Sequence, residues 1–268
     1  KNNINIGEVF LVSKSLKLES IHVHSHYKKL NLISDIALSG QELKDNLSSN
    51  IAITLLNQPN IGVSSFGLVT SKPVIRGYSG DRFLLTKDGN KTGDLSQSSI
   101  DHVITLDMAE VNEIEIIRGP KALIYGSKAI GGVINTNING NPKLKVNQFY
   151  KNIMLGGETF NKSIYGNLML YMPWKNNQIN IILNNRNANN QTSPIGTLEN
   201  TYSQTSNYKV GFTKYNQDNY VNFLFEMFNM DYGIPGSLEG HINGVDIELL
   251  KNTFQINYHQ DIKLYNFN

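Results

Sequence analysis

Two groups of residues have the types and spacing for metal chemistry. The first is Asp101-His102, at the end of "GDLSQSSIDH" (93–102). A carboxylate oxygen and an imidazole nitrogen are both good Zn²⁺ ligands, but two adjacent residues cannot complete a tetrahedral set. Further ligands must come from another part of the fold. The plain alternative is a capped loop in which His102 packs or meets water. The second group is "IHVHSHY" (21–27). In an extended segment His22, His24 and His26 share one edge, which suits Zn²⁺, Ni²⁺ or Cu²⁺. A solvated strand face is the plain alternative there. No nucleophile–base–orienter set is visible, so the chain is expected not to be an enzyme.

The elements that must position these residues divide near residue 140. The 268 residues are 40% apolar and 17% charged, with 22 glycines and a net charge of +2. That balance argues against nucleic acid as a partner. Cysteine is absent, which excludes disulfides and thiolate metal sites. No run of about 18 apolar residues exists to form a transmembrane helix, but a transmembrane β-barrel needs none.

Before residue 140 the pattern is mixed. Ile51, Leu55 and Leu56 recur at helical spacing, and Pro59-Asn60 with Gly62 stops that helix. "RFLLTKDGN" reads as a strand entering an Asp-Gly hairpin. "NEIEIIRGP" alternates Ile114 and Ile116 against Glu113 and Glu115, as a strand does. Pro120 opens a short helix over 121–125, with Gly126 as its stop, and "GGVINTNI" returns as a strand. "RGPKALIYGSKAIGG" lacks the spacing of a phosphate-binding loop, so its glycines are read as tight turns.

After residue 140 the period is two. Segments 163–172, 178–184, 208–215 and 220–229 each place apolar residues on one face and polar residues on the other. Short turns, "KNNQ" (175–178) and "NQDN" (216–219), alternate with a longer polar link over 187–204. Short turns at one end and long loops at the other suit an outer-membrane barrel. A soluble antiparallel sandwich alternates as well, and the pattern alone leaves both open.

"QPNIGV" (58–63), "IRGYSGDRFLLTKDG" (75–89) and "EIEIIRGPKALIYGSKAIGGVIN" (113–135) resemble, in order, the plug domain of TonB-dependent outer-membrane receptors. The resemblance implies an α+β plug domain followed by antiparallel transmembrane β-barrel strands. "GDLSQSSIDH" and "DYGIPGSLEGHINGVDIEL" (231–249) are similar to the zinc-uptake branch. In that branch an Asp-His pair at the plug apex helps bind metal, which maps onto Asp101 and His102. The loop after "YGIPG" offers Glu239, His241 and Asp246, fewer acidic and histidine residues than the branch tends to carry. "LESIHV" resembles the TonB box, so Glu19, Ser20, Ile21, His22 and Val23 are expected to pair with TonB by strand addition. By the same resemblance Arg76, Arg82 and Arg118 are expected to contact acidic residues on the inner barrel wall; local pairing with Asp81, Glu113 or Glu115 is the plain alternative.

The expected organisation is an N-terminal segment (1–18), a TonB-box-like segment and first strand (19–27), a plug (28–140) and the first part of a barrel (141–268). The expected partners are TonB with its inner-membrane energising complex, outer-membrane lipid, and a metal ion or metal chelate. No cofactor is required; Zn²⁺ is the expected cargo, with an iron chelate or haem as the alternative. A soluble β-rich metal-binding module is the alternative of another class. The residues after the plug allow six or seven strands of about 10 residues, short of the closed barrel of about 22 strands that the resemblance implies. The chain, which starts at Lys1 without an initiator Met, is therefore expected to be a piece of a longer reading frame.

Overall fold

The computed structural model describes residues 35–260, except 66, 94–95, 97–98, 100, 139–144, 218 and 238–239. His22, His24, His26 and the Glu19–Val23 segment lie outside the described residues.

The described residues between 35 and 138 build an α+β domain. Its strands are β1 (Ile36–Ser39), β2 (Ile61–Ser64), β3 (Lys72–Ile75), β4 (Leu84–Lys87), β5 (Asn90–Lys91), β6 (Val111–Ile117) and β7 (Val133–Ile138). Five of them form one sheet in the order β1-β6-β7-β4-β5, and β2 pairs with β3 apart from it. Only β4 and β7 run parallel within that sheet. Two short helices, α1 (Gly40–Asn46) and α2 (Ile51–Thr54), cover one face. Asn50 caps α2 by accepting from the Ala52 N–H at 2.7 Å.

The alternation of β6 sets the layers. Ile114 and Ile116 join Leu38, Leu55, Leu85 and Ile134 in the main core. Ile117 points the other way, to Leu84, Ala122, Ala129 and Val133. The Asp-Gly turn forms as expected, with φ of 51° at Asp88 and 81° at Gly89 linking β4 to β5. The segment opened by Pro120 is a 3₁₀ helix (Gly119–Tyr125), as such short pieces often are. The Gly-rich stretch is tight for a packing reason. A Cβ on Gly132, at φ +131°, would meet the Ile117 carbonyl oxygen at 2.8 Å.

Between residues 150 and 259 the strands form an antiparallel sheet in the order β15-β14-β13-β10-β9-β8. The strands are β8 (Tyr150–Glu158), β9 (Ser163–Trp174), β10 (Asn177–Ala188), β13 (Ser203–Asn216), β14 (Asn219–Ile234) and β15 (Val245–His259). A hairpin of β11 (Gln191–Ser193) and β12 (Gly196–Leu198) sits in the β10–β13 link. The β9–β10 and β13–β14 turns are short and share one end of the sheet. The β10–β13 and β14–β15 links are long and share the other.

The burial of β13 and of the first half of β14 is inverted. In β13 the buried residues include Ser203, Thr205, Asn207, Lys209 and Thr213, while Val210 and Phe212 are exposed. In β14 Asn222 and Glu226 are buried, and Phe223, Phe225 and Met227 are exposed. In β15 Phe254 is 81% exposed. A soluble sandwich buries its apolar face, so this pattern rejects the sandwich. A transmembrane barrel wall turns its apolar face to lipid and its polar face inward. The sheet is an unclosed section of such a wall, with strands of 14 to 16 residues in β13, β14 and β15. That exceeds the roughly 9–11 residues a tilted strand needs to cross a bilayer. Among the described residues no helix is long and apolar enough to cross.

Candidate functional site

The polar face of the wall meets the α+β domain through a ring of four charges, three buried and one, Lys87, partly buried. The β13–β14 register sets Lys209 directly opposite Glu226. From the domain come Lys87, at the end of β4, and Glu110, which closes a 3₁₀ turn (Met108–Glu110) just before β6. Lys87 Nζ lies 2.7 and 2.9 Å from the two Glu226 carboxylate oxygens and 3.3 Å from Glu110 Oε1. Lys209 Nζ donates to Glu110 Oε2 and lies 3.3 Å from Glu226 Oε1. Asn207 Nδ2 adds a longer bond to Glu110 Oε2 at 3.4 Å.

Burial is costly for each of these ions unless the others are present. Burial disfavours the Lys87 ammonium, but the Glu110 and Glu226 carboxylates outweigh it and raise its pKa. Nearby Asp88 moves the other way from a free carboxylate: burial raises its pKa against the Ile138 N–H it accepts from. Asp107 caps the Met108–Glu110 turn by accepting from the Ala109 N–H at 2.9 Å. Burial again raises its pKa, with Glu110 adding to the shift.

Two further ties lie along the same stretch of chain. Lys251 of β15 donates to the Thr92 carbonyl at 2.5 Å and to Thr105 Oγ1 at 2.9 Å. The Tyr232 hydroxyl of β14 donates to the Asp101 carbonyl at 3.2 Å. Val103 packs with Phe228, Met230, Tyr232 and Ile234. Tyr232 sits near the end of β14 that leads into a long loop, so Asp101-His102 lies toward the long-loop end of the wall.

At that end the Ser99 hydroxyl donates to Asp101 Oδ1, and this bond holds the Asp101 carboxyl below the usual range. His102 Nδ1 is buried and has no hydrogen-bond partner among the described residues. His241 is exposed in the loop after β14, where its carbonyl accepts from Ser237 and Gly244. Asp246 accepts from the Tyr202 hydroxyl at 3.1 Å. Among the described residues no three His, Asp or Glu side chains form a group fit to hold a metal. Glu239 lies outside the described residues.

The arginines sit as follows. Arg118 lies near Asp35, with Nε 3.8 Å from Oδ2 and its backbone N–H donating to the same oxygen at 2.8 Å. Its Nη1 also donates to the Pro59 carbonyl at 3.3 Å. Arg76 holds φ +52° and donates its backbone N–H to the Asn60 carbonyl. The Arg82 carbonyl accepts from Gly131. Among the described residues, the ion pairs between this domain and the wall section are made by Lys87 and Glu110. Sequence reasoning did not single out Lys209 or Glu226. Their signal was a lysine and a glutamate on the polar faces of adjacent alternating segments.

Residues 31–133 match the family model described as the TonB-dependent Receptor Plug Domain. This segment is a plug domain. The chain is 41% identical over 87 residues to a hemin receptor of Yersinia enterocolitica, covering 30% of this chain and 12% of that receptor. It is 33% identical over 107 residues to the vitamin B12 transporter BtuB of Photobacterium profundum, covering 39% of this chain and 18% of that protein. In fold, plug and wall together resemble the copper transporter OprC, with a TM-score of 0.69 and 16% identity over 83% of this chain and 34% of that one. They also resemble a ferric enterobactin receptor, PfeA, of Pseudomonas aeruginosa, with a TM-score of 0.63 and 13% identity over 82% of this chain and 37% of that one. The chain thus spans far less than two thirds of each of these relatives. At such identities the solved structures speak for the fold alone.

Proposed function

We propose that this chain supplies the plug and part of the wall of an active importer in the outer membrane of a Gram-negative bacterium. Cargo is received at the long-loop end of the plug. TonB engages Glu19–Val23 by strand addition and transmits force from the inner membrane. The plug then shifts against the wall and opens a path. No bond in the cargo is made or broken, so the protein is a transporter and not an enzyme.

One observation carries this reading: a plug-domain segment seated on the buried polar face of an otherwise lipid-exposed sheet, joined to it by the Lys87–Glu110–Lys209–Glu226 ring. The cargo is metal-bearing. Zn²⁺ is the reading favoured by Asp101 and by the unpartnered Nδ1 of His102, with His241 and the 22–26 histidines as candidate further ligands. A haem or iron-chelate cargo is the second reading, favoured by the hemin receptor among the relatives.

The test is uptake of Zn²⁺ and of haemin by cells making the complete receptor, with and without TonB, and with His102→Ala. Import is expected to need TonB. Uptake that persists unchanged without TonB removes the active-importer reading. Zinc uptake indifferent to His102→Ala, beside intact haemin uptake, removes zinc in favour of haem.

A further inference from the structure

Lys72 is a buried lysine in β3 whose ammonium reaches the backbone of a later segment. Its Nζ donates to the carbonyls of Ser96 and Ser99, 24 and 27 residues further along the chain. Burying an ammonium is costly unless it is fully hydrogen-bonded, so these carbonyls are held firmly to the β2–β3 hairpin. Ser99 in turn donates its hydroxyl to Asp101 Oδ1. From the opposite side the Tyr232 hydroxyl of the wall donates to the Asp101 carbonyl at 3.2 Å. Between these two anchors His102 keeps a buried Nδ1 without a partner.

We infer that Lys72 and Tyr232 are positioning residues for Asp101-His102, one fixing it to the plug interior and the other to the barrel wall. Lys72 sets the height of the Ser99 and Asp101 backbone, and Ser99 then orients the carboxylate. Tyr232 ties the same backbone to β14, so a wall strand feels any shift of the pair. A preset donor pair binds cargo more tightly than one that must be ordered on binding. This inference rests on the cargo reading above, but its first readout does not need cargo.

The test uses the complete receptor in outer-membrane vesicles. Amide hydrogen exchange is followed at Asp101, His102 and Val103, with the β13–β15 amides as internal reference. Lys72→Met is expected to speed exchange at the three amides by about tenfold or more, and Tyr232→Phe by about fivefold, the worth of one ordinary hydrogen bond. The β13–β15 amides are expected to stay protected, and Lys72→Arg to restore part of the slow exchange. Zn²⁺ affinity is then expected to fall about 10–100-fold in Lys72→Met, the usual effect of losing a residue that orients a ligand. Unchanged exchange in both variants overturns the positioning role. Tyr232→Phe keeps its ring and decides the wall anchor even if Lys72→Met does not assemble. Faster exchange in a receptor whose wild type ignores Zn²⁺ supports the anchors and removes the zinc cargo. Zn²⁺ affinity that depends on His102 but not on Lys72 or Tyr232 overturns the coupling to binding.

Discussion

Lys87 of the plug and Glu226 of the wall meet at 2.7 Å, although 139 residues separate them in the chain. Their contact is one side of a four-membered ring. Each member leans on two opposite charges, so single and double substitutions should differ in a defined way. Lys87→Met leaves two carboxylates sharing one ammonium and is expected to cost about 3–5 kcal/mol. Adding Glu226→Gln restores the balance and should recover a substantial part of that loss. A double-mutant cycle on urea unfolding of the plug in the assembled receptor measures it. Simple additivity of the two changes would falsify the ring as a unit.

The inverted wall makes a second prediction. Phe225 and Phe254 are exposed and their rings lie 4.7 Å apart. On a soluble sheet an exposed Phe254→Lys change is worth within about 0.5 kcal/mol. Facing lipid near the midplane it costs about 2–4 kcal/mol. Folding into vesicles of graded bilayer composition, compared between wild type and Phe254→Lys, separates these values.

The third concerns the Gly131-Gly132 turn. A Cβ on Gly131 would come within 2.7 Å of Tyr78 Cβ, and one on Gly132 within 2.8 Å of the Ile117 carbonyl oxygen. Gly132→Ala is expected to destabilise the plug by about 1–3 kcal/mol, because its positive φ adds strain to the clash. Loss of protease resistance in the plug, with the wall still inserted, is the expected sign. A fully resistant Gly132→Ala plug would count against this packing.

The fourth is a pH dependence at Asp107. Its pKa is raised above the ordinary 3.8 mainly by burial. The folded state therefore binds the proton more readily than the unfolded one. Its charge costs stability at neutral pH. That cost is relieved as pH falls through the raised pKa toward 3.8. An asparagine in its place would still offer an oxygen to the Ala109 N–H. Asp107→Asn is therefore expected to stabilise the plug at neutral pH and to flatten this part of the profile. Unfolding midpoints of the two proteins, measured from neutral pH down to about pH 4, should converge toward the acid end. A variant that is weaker at every pH contradicts the assignment.

Much of this architecture was legible because local patterns agreed with the final packing. Ile114 and Ile116 alternate into the core, and Asp88-Gly89 makes the hairpin its sequence announces. The wall strands were visible at their apolar centres but read too short. Ser203, Thr205 and Asn207 look like loop residues, yet they extend β13 because the buried face of this strand is the polar one. The alternation told which residues share a face, but not which face is inside. The site was less legible. Lys72 reaches Ser96 and Ser99 across a turn of chain whose path no local pattern fixes. Lys209 meets Glu110 only because β13 and the Met108–Glu110 turn are brought together by the whole fold.

The β13–β14 register has one more consequence. Lys209 and Glu226 already face each other at 3.3 Å on the wall, and Lys87 and Glu110 do the same within the plug. Drawing the plug away therefore parts the ring into two neutral couples, each with its own counter-ion within reach. Neither surface is left with a bare charge to hydrate. Such a joint would separate without stranding an ion and could re-form from partners that never lost their pairing.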